Sequence, residues 1–333
     1  MNSMEFTQVI PRLRVLETRL LDKSKIDRMI DGDSAKEALK VLQESEYANV
    51  MTGVKRPEDY EMVLARELKR IYELMYDASP SKALIDIMSI KYDYHNIKVI
   101  LKGMFLKKDF GNMLIPVGKQ DPSLLKHNIE NNNLRDLPKA MQKGIEKAKE
   151  DFEVNKDPQK IDIILDNAMF EEMKEIAKKL DDRFVDKYVR VLIDSTNIKT
   201  LLRVKKQRKD RDFLVEVLIK GGAIDEDILI SLLNDAPENI SNKLSFTDYG
   251  EMIRFGIESY IKTGSASLLE KLIDNYIMDM MKEAKFIPFG VEPVLAYIYA
   301  KETEIKVIRI IMVGKLNNIS GEVIRERLRD IYV

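Results

Sequence analysis

The sequence predicts an all-α protein made of three similar helical units. Three observations carry this prediction. A helical phrase recurs three times without a gap: LIDIMSIKYDYHNIKVILKGM from Leu84, VDKYVRVLIDSTNIKTLLRVK from Val185, and EPVLAYIYAKETEIKVIRIIM from Glu292. Glycine (14) and proline (10) are sparse for 333 residues and cluster where turns are expected. No run alternates apolar and polar residues as a half-buried strand would. The copies lie about a hundred residues apart, so the repeat is a structural unit rather than a short motif. Such a chain can close into a three-part body around an axis, with divisions at 1–118, 119–236 and 237–333.

About a dozen helices follow from the helix signals. The first is expected from Pro11 to Ile30, stopping at Asp31-Gly32. A short helix runs from Ser34 to Gln43, and Pro57 opens one that reaches Tyr76. Ser79-Pro80-Ser81 opens the first repeat helix, which runs to Lys108. Residues 110–122 read as loop, with Gly111, Pro116, Gly118 and Pro122. Short helices come next, broken at Asn131-Asn132-Asn133 and at Pro138. Asp157-Pro158 opens the helix that leads into the second repeat. Gly221-Gly222 reads as a helix stop, Asp225 to Leu233 as a short helix, and Pro237 to Ser245 as a joint. Ser265 opens the helix before the third repeat, and Ile287-Pro288 the third repeat helix. Gly314 and Asn317-Asn318 break that helix, and a last one runs from Gly321 to Val333.

The preceding helix belongs to the repeat as well. LDNAMFEEMKEIAKK from Leu165 resembles IDNYIMDMMKEAKFI from Ile273, and LARELKRIYELMYDA from Leu64 occupies the same place. Each unit is thus at least a helical hairpin. At 100° per residue, Phe184, Tyr188, Val191, Ile198 and Leu202 gather on one face of the second long helix. Asp194 and Lys199 fall on its borders and Asn197 points away. The polar patch of each copy is therefore expected on a helix rim. Asn96, Lys98, Asn197, Lys199, Glu304 and Lys306 are its repeat-motif positions, candidates for contact with a neighbouring repeat or a partner.

Composition narrows the function. Hydrophobic residues make up 45%, enough for a sizeable core, and 55 basic residues nearly cancel 56 acidic ones. No global field draws the chain to nucleic acid or an anionic membrane. There is no cysteine, which removes disulfides, thiolate metal sites and cysteine nucleophiles and suits a reducing cytosol. Two histidines, His95 and His127, do not make a usual zinc site. No stretch approaches the ~20 apolar residues of a membrane span.

Catalytic patterns fail on inspection. Gly118-Lys119 and Gly314-Lys315 resemble the end of a phosphate loop, but Gln120 and Leu316 follow where Ser or Thr is needed, and Met113 and Arg309 replace the earlier glycine. Glu171-Glu172 and Asp181-Asp182 point about 100° apart on a helix and do not converge. A relay from His95 to Asp93 has no nucleophile near it. No catalytic, cofactor or metal residue is assigned. The sharpest charge run is Lys205, Lys206, Arg208, Lys209 and Arg211. It reads either as a solvated helix end or as a docking patch. No aromatic residues interleave with it, as a single-strand nucleic-acid binder would prefer.

The C-terminal segment then carries a specific resemblance. Phe289, Gly290, Glu292, Pro293, Tyr297, Lys301, Glu302, Ile305, Lys306, Arg309, Gly314 and Lys315, together with Ile324, Arg325, Leu328 and Tyr332, resemble the closing pattern of the C subunit of the bacterial and archaeal V-type (A-type) ATPases, a relative of the eukaryotic d subunit. Asp93 to Lys98 and LQESEYA from Leu42 are also similar to that family, so the likeness spans the chain. The resemblance implies a pseudo-threefold funnel of helical units. It also implies a non-catalytic rotor adapter between the central shaft, subunits D and F, and the membrane ring of proteolipid subunits. Such a part needs no cofactor and lies on the cytoplasmic face of the membrane, held there by other subunits. Two other classes are a helical-repeat scaffold for unrelated partners and an RNA-binding helical protein that uses the basic run.

Overall fold

A computed structural model describes residues 3–333. The described residues form sixteen α-helices and no strand. In chain order these are α1 (Val9–Glu17), α2 (Lys23–Asp31), α3 (Ala35–Gln43), α4 (Tyr60–Ala78), α5 (Lys82–Leu106), α6 (Pro122–Glu130), α7 (Lys139–Asn155) and α8 (Pro158–Leu180). They continue with α9 (Arg183–Lys206), α10 (Arg211–Val217), α11 (Glu226–Ser231), α12 (Pro237–Lys243), α13 (Gly250–Thr263), α14 (Ser267–Lys282), α15 (Glu292–Leu316) and α16 (Gly321–Arg327). The all-helical expectation is met.

Helix starts are the most legible feature. Ser34, Asp121, Asp157 and Asp182 each accept a backbone N–H of the next helix's first turn, which satisfies donors that the helix leaves open. Several boundaries differ from expectation. The first expected helix is two, because the chain leaves helical geometry between Thr18 and Asp22, and the Asp22 carboxylate caps α2 at Lys25 N–H, 2.8 Å away. Gly221-Gly222 does not stop a helix, since α10 already ends at Val217. The expected joint at Pro237 to Ser245 holds α12, and α13 lies beyond the helices expected. The third long helix starts at Glu292 with Pro293 in its first turn, not at Ile287. It also continues through Gly314, where a Cβ would lie 2.6 Å from the Ile324 side chain, so the glycine admits α16 rather than ending α15. The last helix stops at Arg327, not Val333. Beyond it, Arg329 pairs with Asp274, Asp330 N–H donates to Asn275, and Tyr332 hydroxyl donates to Glu17, contacts that hold the tail in a non-helical course.

The chain divides into two compact units. One spans Asp86–Ile261. In it α8 packs along both α7 and α9, and α10 and α11 pack on α9. The other joins the described residues up to Ile85 to Lys262–Val333. Its centre is α15, which packs on α1, α2, α3, α4, α14 and α16. Buried residues occur around the whole circumference of α15, from Val294 to Met312. A helix apolar on every side must be enclosed by others, and here Met29, Leu42, Val63, Leu64 and Ile324 join its Ile305, Ile308 and Ile311 in one core.

A charged cluster interrupts that core. The Lys301 ammonium lies 2.8 Å from Glu67 and 2.7 Å from Glu304, with all three side chains less than 5% exposed. Glu67 also takes two hydrogen bonds from Arg70, and the Tyr47 hydroxyl donates to Glu304. The Lys301 cation sits 4.6 Å from the centre of the Tyr47 ring. Burial would discharge Lys301, but Glu304 and Glu67 outweigh it and hold the ammonium above its ordinary range. Burial likewise opposes ionisation of Glu67, and the bonds from Arg70 and Lys301 reverse that and lower it. Removing the cation leaves the buried Glu304 carboxylate without a cationic partner and Glu67 with Arg70 alone. Lys301→Met is expected to destabilise the protein by about 3–5 kcal/mol, read as a shift of the urea midpoint. A shift no larger than that of the exposed Lys40→Met would contradict this account.

Candidate functional site

Asp93 and Asn96 lie one turn apart on α5, so their side chains share a face. Both are buried, at 2% and 0% exposure. Buried polar groups must find partners, and these find the backbone of one loop segment. Asn96 makes a two-way pair with Ile115: its side-chain oxygen accepts Ile115 N–H and its amide donates to Ile115 C=O, each at 2.8 Å. The two Asp93 oxygens accept Lys119 N–H at 2.9 Å and Gln120 N–H at 3.0 Å. Residues 115–120 are thereby strapped along α5.

The second copy repeats this chemistry. Asn197 pairs with Ile219 in both directions, at 2.8 and 2.9 Å. Asp194 accepts Ala223 N–H at 3.0 Å and Ile224 N–H at 3.1 Å, and also takes the Tyr249 hydroxyl. The two straps correspond residue by residue. Each reads Ile-x-x-Gly-x-x-Asp, at Ile115 to Asp121 and Ile219 to Asp225. Each closing Asp caps the next helix. The glycines have one reason to be there: a Cβ on Gly118 would fall 2.0 Å from the Asp93 Oδ1, and one on Gly222 would fall 2.0 Å from the Asp194 Oδ1. Backbone approaches the carboxylate too closely for any side chain.

These findings correct the rim expectation. Asn197 does not point away from the buried surface; it is 1% exposed. Asp194 is fully buried rather than at a border. The helical wheel assigned faces from apolar residues alone, and the strap covers the polar face as well. Glu304, at the position equivalent to Asn96 and Asn197, is also buried, bonded to Tyr47, to Lys301 and to the Leu21 N–H. The lysines of the repeat lie in partly exposed places. Lys98 pairs with Asp166 on α8 and Lys306 with Asp274 on α14. Those two aspartates occupy the same position in the aligned preceding helices. Yet Lys98 reaches the helix of the following hairpin, and Lys306 the helix of its own. Lys199 is half-buried.

The acids of this region carry shifted titrations. Burial pushes the Asp93 carboxyl up to about 7, with Glu172 and Asp86 adding to the rise and the two backbone donors opposing it. Burial also raises Asp194, against the Tyr249 hydroxyl and its own two backbone donors. Tyr94 donates to Glu172 at 2.9 Å and is raised by burial and that neighbour.

The basic run divides on inspection. Lys205 donates to the carbonyls of Leu232, Leu233 and Asp235, so it closes the end of a short 3₁₀ turn (Leu232–Asn234). Asp210 is the cap of α10 and accepts Phe213 N–H at 2.9 Å. Lys206, Arg208, Lys209 and Arg211 are exposed, and Lys209 lies 5.4 Å from the centre of the Phe213 ring. Among the described residues no group of three or more His, Asp or Glu side chains is placed to hold a metal ion. No described helix is long and apolar enough to cross a membrane.

The family described as ATP synthase (C/AC39) subunit matches residues 9–327. Among curated proteins, the C subunit of the V-type sodium ATPase of Enterococcus hirae is 28% identical over 99% of this chain and 99% of its own length. The C subunit of the A-type ATP synthase of Methanocaldococcus jannaschii is 25% identical, covering 97% of this chain and 86% of the relative. That of Pyrococcus abyssi is 24% identical, covering 96% and 89%.

Two outcomes test the straps. Gly118→Ala and Gly222→Ala should each displace a strap and cost about 1–3 kcal/mol by overpacking, seen in thermal unfolding; unchanged melting in both would contradict the close approach. The raised Asp93 titration means that its stabilising contribution is complete below the ordinary Asp range near ~4 and is lost as pH rises through about 7. Stability should therefore fall across that window more steeply in the wild type than in Asp93→Asn. Parallel pH profiles of the two proteins would rule this out.

Proposed function

The chain belongs to the ATP synthase (C/AC39) subunit family, and from that footing we propose that it is the non-catalytic rotor adapter of a V-type (A-type) ATPase. In this reading three helical units form a pseudo-threefold funnel. The funnel receives the central shaft, subunits D and F, and rests on the cytoplasmic side of the proteolipid ring. Rotation then links ATP hydrolysis or synthesis at the head to ion movement through the ring. The observation that carries the reading is the family match along nearly the whole chain, with relatives named as C subunits of a V-type sodium ATPase and of A-type ATP synthases. The non-catalytic part is supported by where the buried acids are used. Asp93 and Asp194 hold backbone, Glu67 and Glu304 hold Lys301, and Glu172 holds Tyr94.

An adapter transmits torque, so its helices must not slide. Two-way side-chain-to-backbone pairs fix each strap in register, and the Lys98–Asp166 and Lys102–Asp162 pairs, at 2.5 and 2.7 Å, tie α5 to α8. Docking on a partner is assigned to charged surface, with the exposed cations Lys206, Arg208, Lys209 and Arg211 as one contact. Exposed ion pairs are screened within ~10 Å at 0.1 M salt.

Affinity purification of the full chain from membranes is expected to bring down the shaft subunits and the proteolipid ring, and rising salt should release the chain without loss of helicity. Arg208→Glu with Arg211→Glu should lower that recovery severalfold while circular dichroism stays unchanged. Purification with neither shaft nor ring would overturn the adapter reading. Normal recovery of the double variant would remove the basic run from the docking surface.

A further inference from the structure

The third copy lacks a strap in the expected place. In the first two copies the strap comes after its helix in sequence, with Asn96 holding Ile115 and Asn197 holding Ile219. The chain after α15 supplies nothing equivalent: the N–H that reaches Glu304 comes from Leu21, at the other end of the chain. Leu21 is 1% exposed and lies between α1 and α2, in a segment outside any helix. It is an aliphatic residue giving its backbone N–H to the side chain that stands where Asn96 and Asn197 stand.

The departures of the third copy agree with this substitution. In the first two straps, the N–H groups four and five residues past the isoleucine bond to Asp93 or Asp194. Four and five residues past Leu21 are Lys25 and Ile26. Their N–H groups are already taken, by the Asp22 carboxylate and the Asp22 carbonyl, because α2 begins at once. An acid at position 301 would have no backbone donor to hold. The residue there is Lys301, which turns to Glu67 and Glu304 instead. The change from Asp to Lys and the change from Asn to Glu thus have one cause. The order of helices after each strap agrees too. Helices α6 and α7 lead from the first strap to α8, and α11 to α13 lead from the second to α14. In the same way α2 and α3 lead from Leu21 to α4.

We infer that Thr18–Asp22 is the strap of the third unit, so that this chain is a three-unit repeat cut between its last long helix and its first helix, with the N-terminal segment acting as a clasp on α15. The clasp has several fastenings. The Arg14 guanidinium donates to the carbonyls of Ala284 and Ile287, both at 2.8 Å, and Tyr332 hydroxyl donates to Glu17 at 3.1 Å. Each ties α1 to the C-terminal part of the chain. Lifting the clasp would uncover Glu304 and one side of α15 while leaving the straps of residues 115–120 and 219–224 in place. The segment from Arg14 to Asp22 is therefore a closing element of α15.

Native-state hydrogen exchange on the full chain tests this without any substitution. The Leu21 amide is outside helix and near an end, yet it should be protected within about tenfold of the Ile115 and Ile219 amides. Exchange of Leu21 at the rate of an unprotected amide would overturn the clasp. Leu21→Pro removes the donor and Leu21→Ala keeps it. The proline variant should speed exchange along residues 301–308 at least tenfold over the alanine variant, with residues 115–120 and 219–224 unchanged in both. Equal exchange along residues 301–308 in the two variants would also overturn it.

Discussion

A loop segment that crosses the buried face of a long helix turns backbone N–H groups away from water, and each of those must find an acceptor in the protein. The rest of this structure depends on how that requirement is met. Asp93 and Asn96, and again Asp194 and Asn197, place acceptors and donors on the buried face of a long helix and bind a crossing segment by its backbone. Backbone recognition is indifferent to the side chains of the segment, save where the approach is closest. There the residue is Gly118 or Gly222. The polar positions that recur in the sequence are thus part of the fold's fastening.

Much of the helical framework is readable from residues. Ser34 and Asp157 announce their helices because a cap is a local event, settled within three residues, whereas Asp181-Asp182, read as lying within a helix, is the break between two. The recurring phrase is legible because apolar spacing survives in all three copies, which lie on the long helices α5, α9 and α15. The straps are not, because their partners lie 19 and 22 residues beyond the asparagines that hold them, and a helical wheel makes no provision for a crossing loop. A signal is present in Ile115 to Asp121 and Ile219 to Asp225, whose common spacing repeats at nearly the same offset as the helices. It is short and only its Ile, Gly and Asp agree, so it does not stand out without the contacts.

The misread boundaries share a cause. Gly314 and Gly221-Gly222 look like punctuation, since glycine commonly ends helices. One admits Ile324 against α15, and Gly222 admits the Asp194 carboxylate. Glycine chosen for lack of volume is indistinguishable in sequence from glycine chosen for backbone freedom. The break at Thr18 to Asp22 escapes the sequence for the complementary reason. Charged and apolar residues there keep helical spacing, and alongside the local Asp22 cap the Leu21 N–H is held by Glu304, 283 residues away.

The two straps keep identical internal spacing while the approach to them differs, with Ile115 lying 19 residues past Asn96 and Ile219 lying 22 past Asn197. Inside a strap, one inserted residue would move either the isoleucine or the glycine off its partner. Before it, between helix end and isoleucine, the chain is free to lengthen. Related proteins that differ in length should therefore carry their insertions in the approach, around residues 107–114 and 207–218, and none within the seven residues of the strap itself. Variation in chain length across the family then becomes a ruler for where the backbone is fastened.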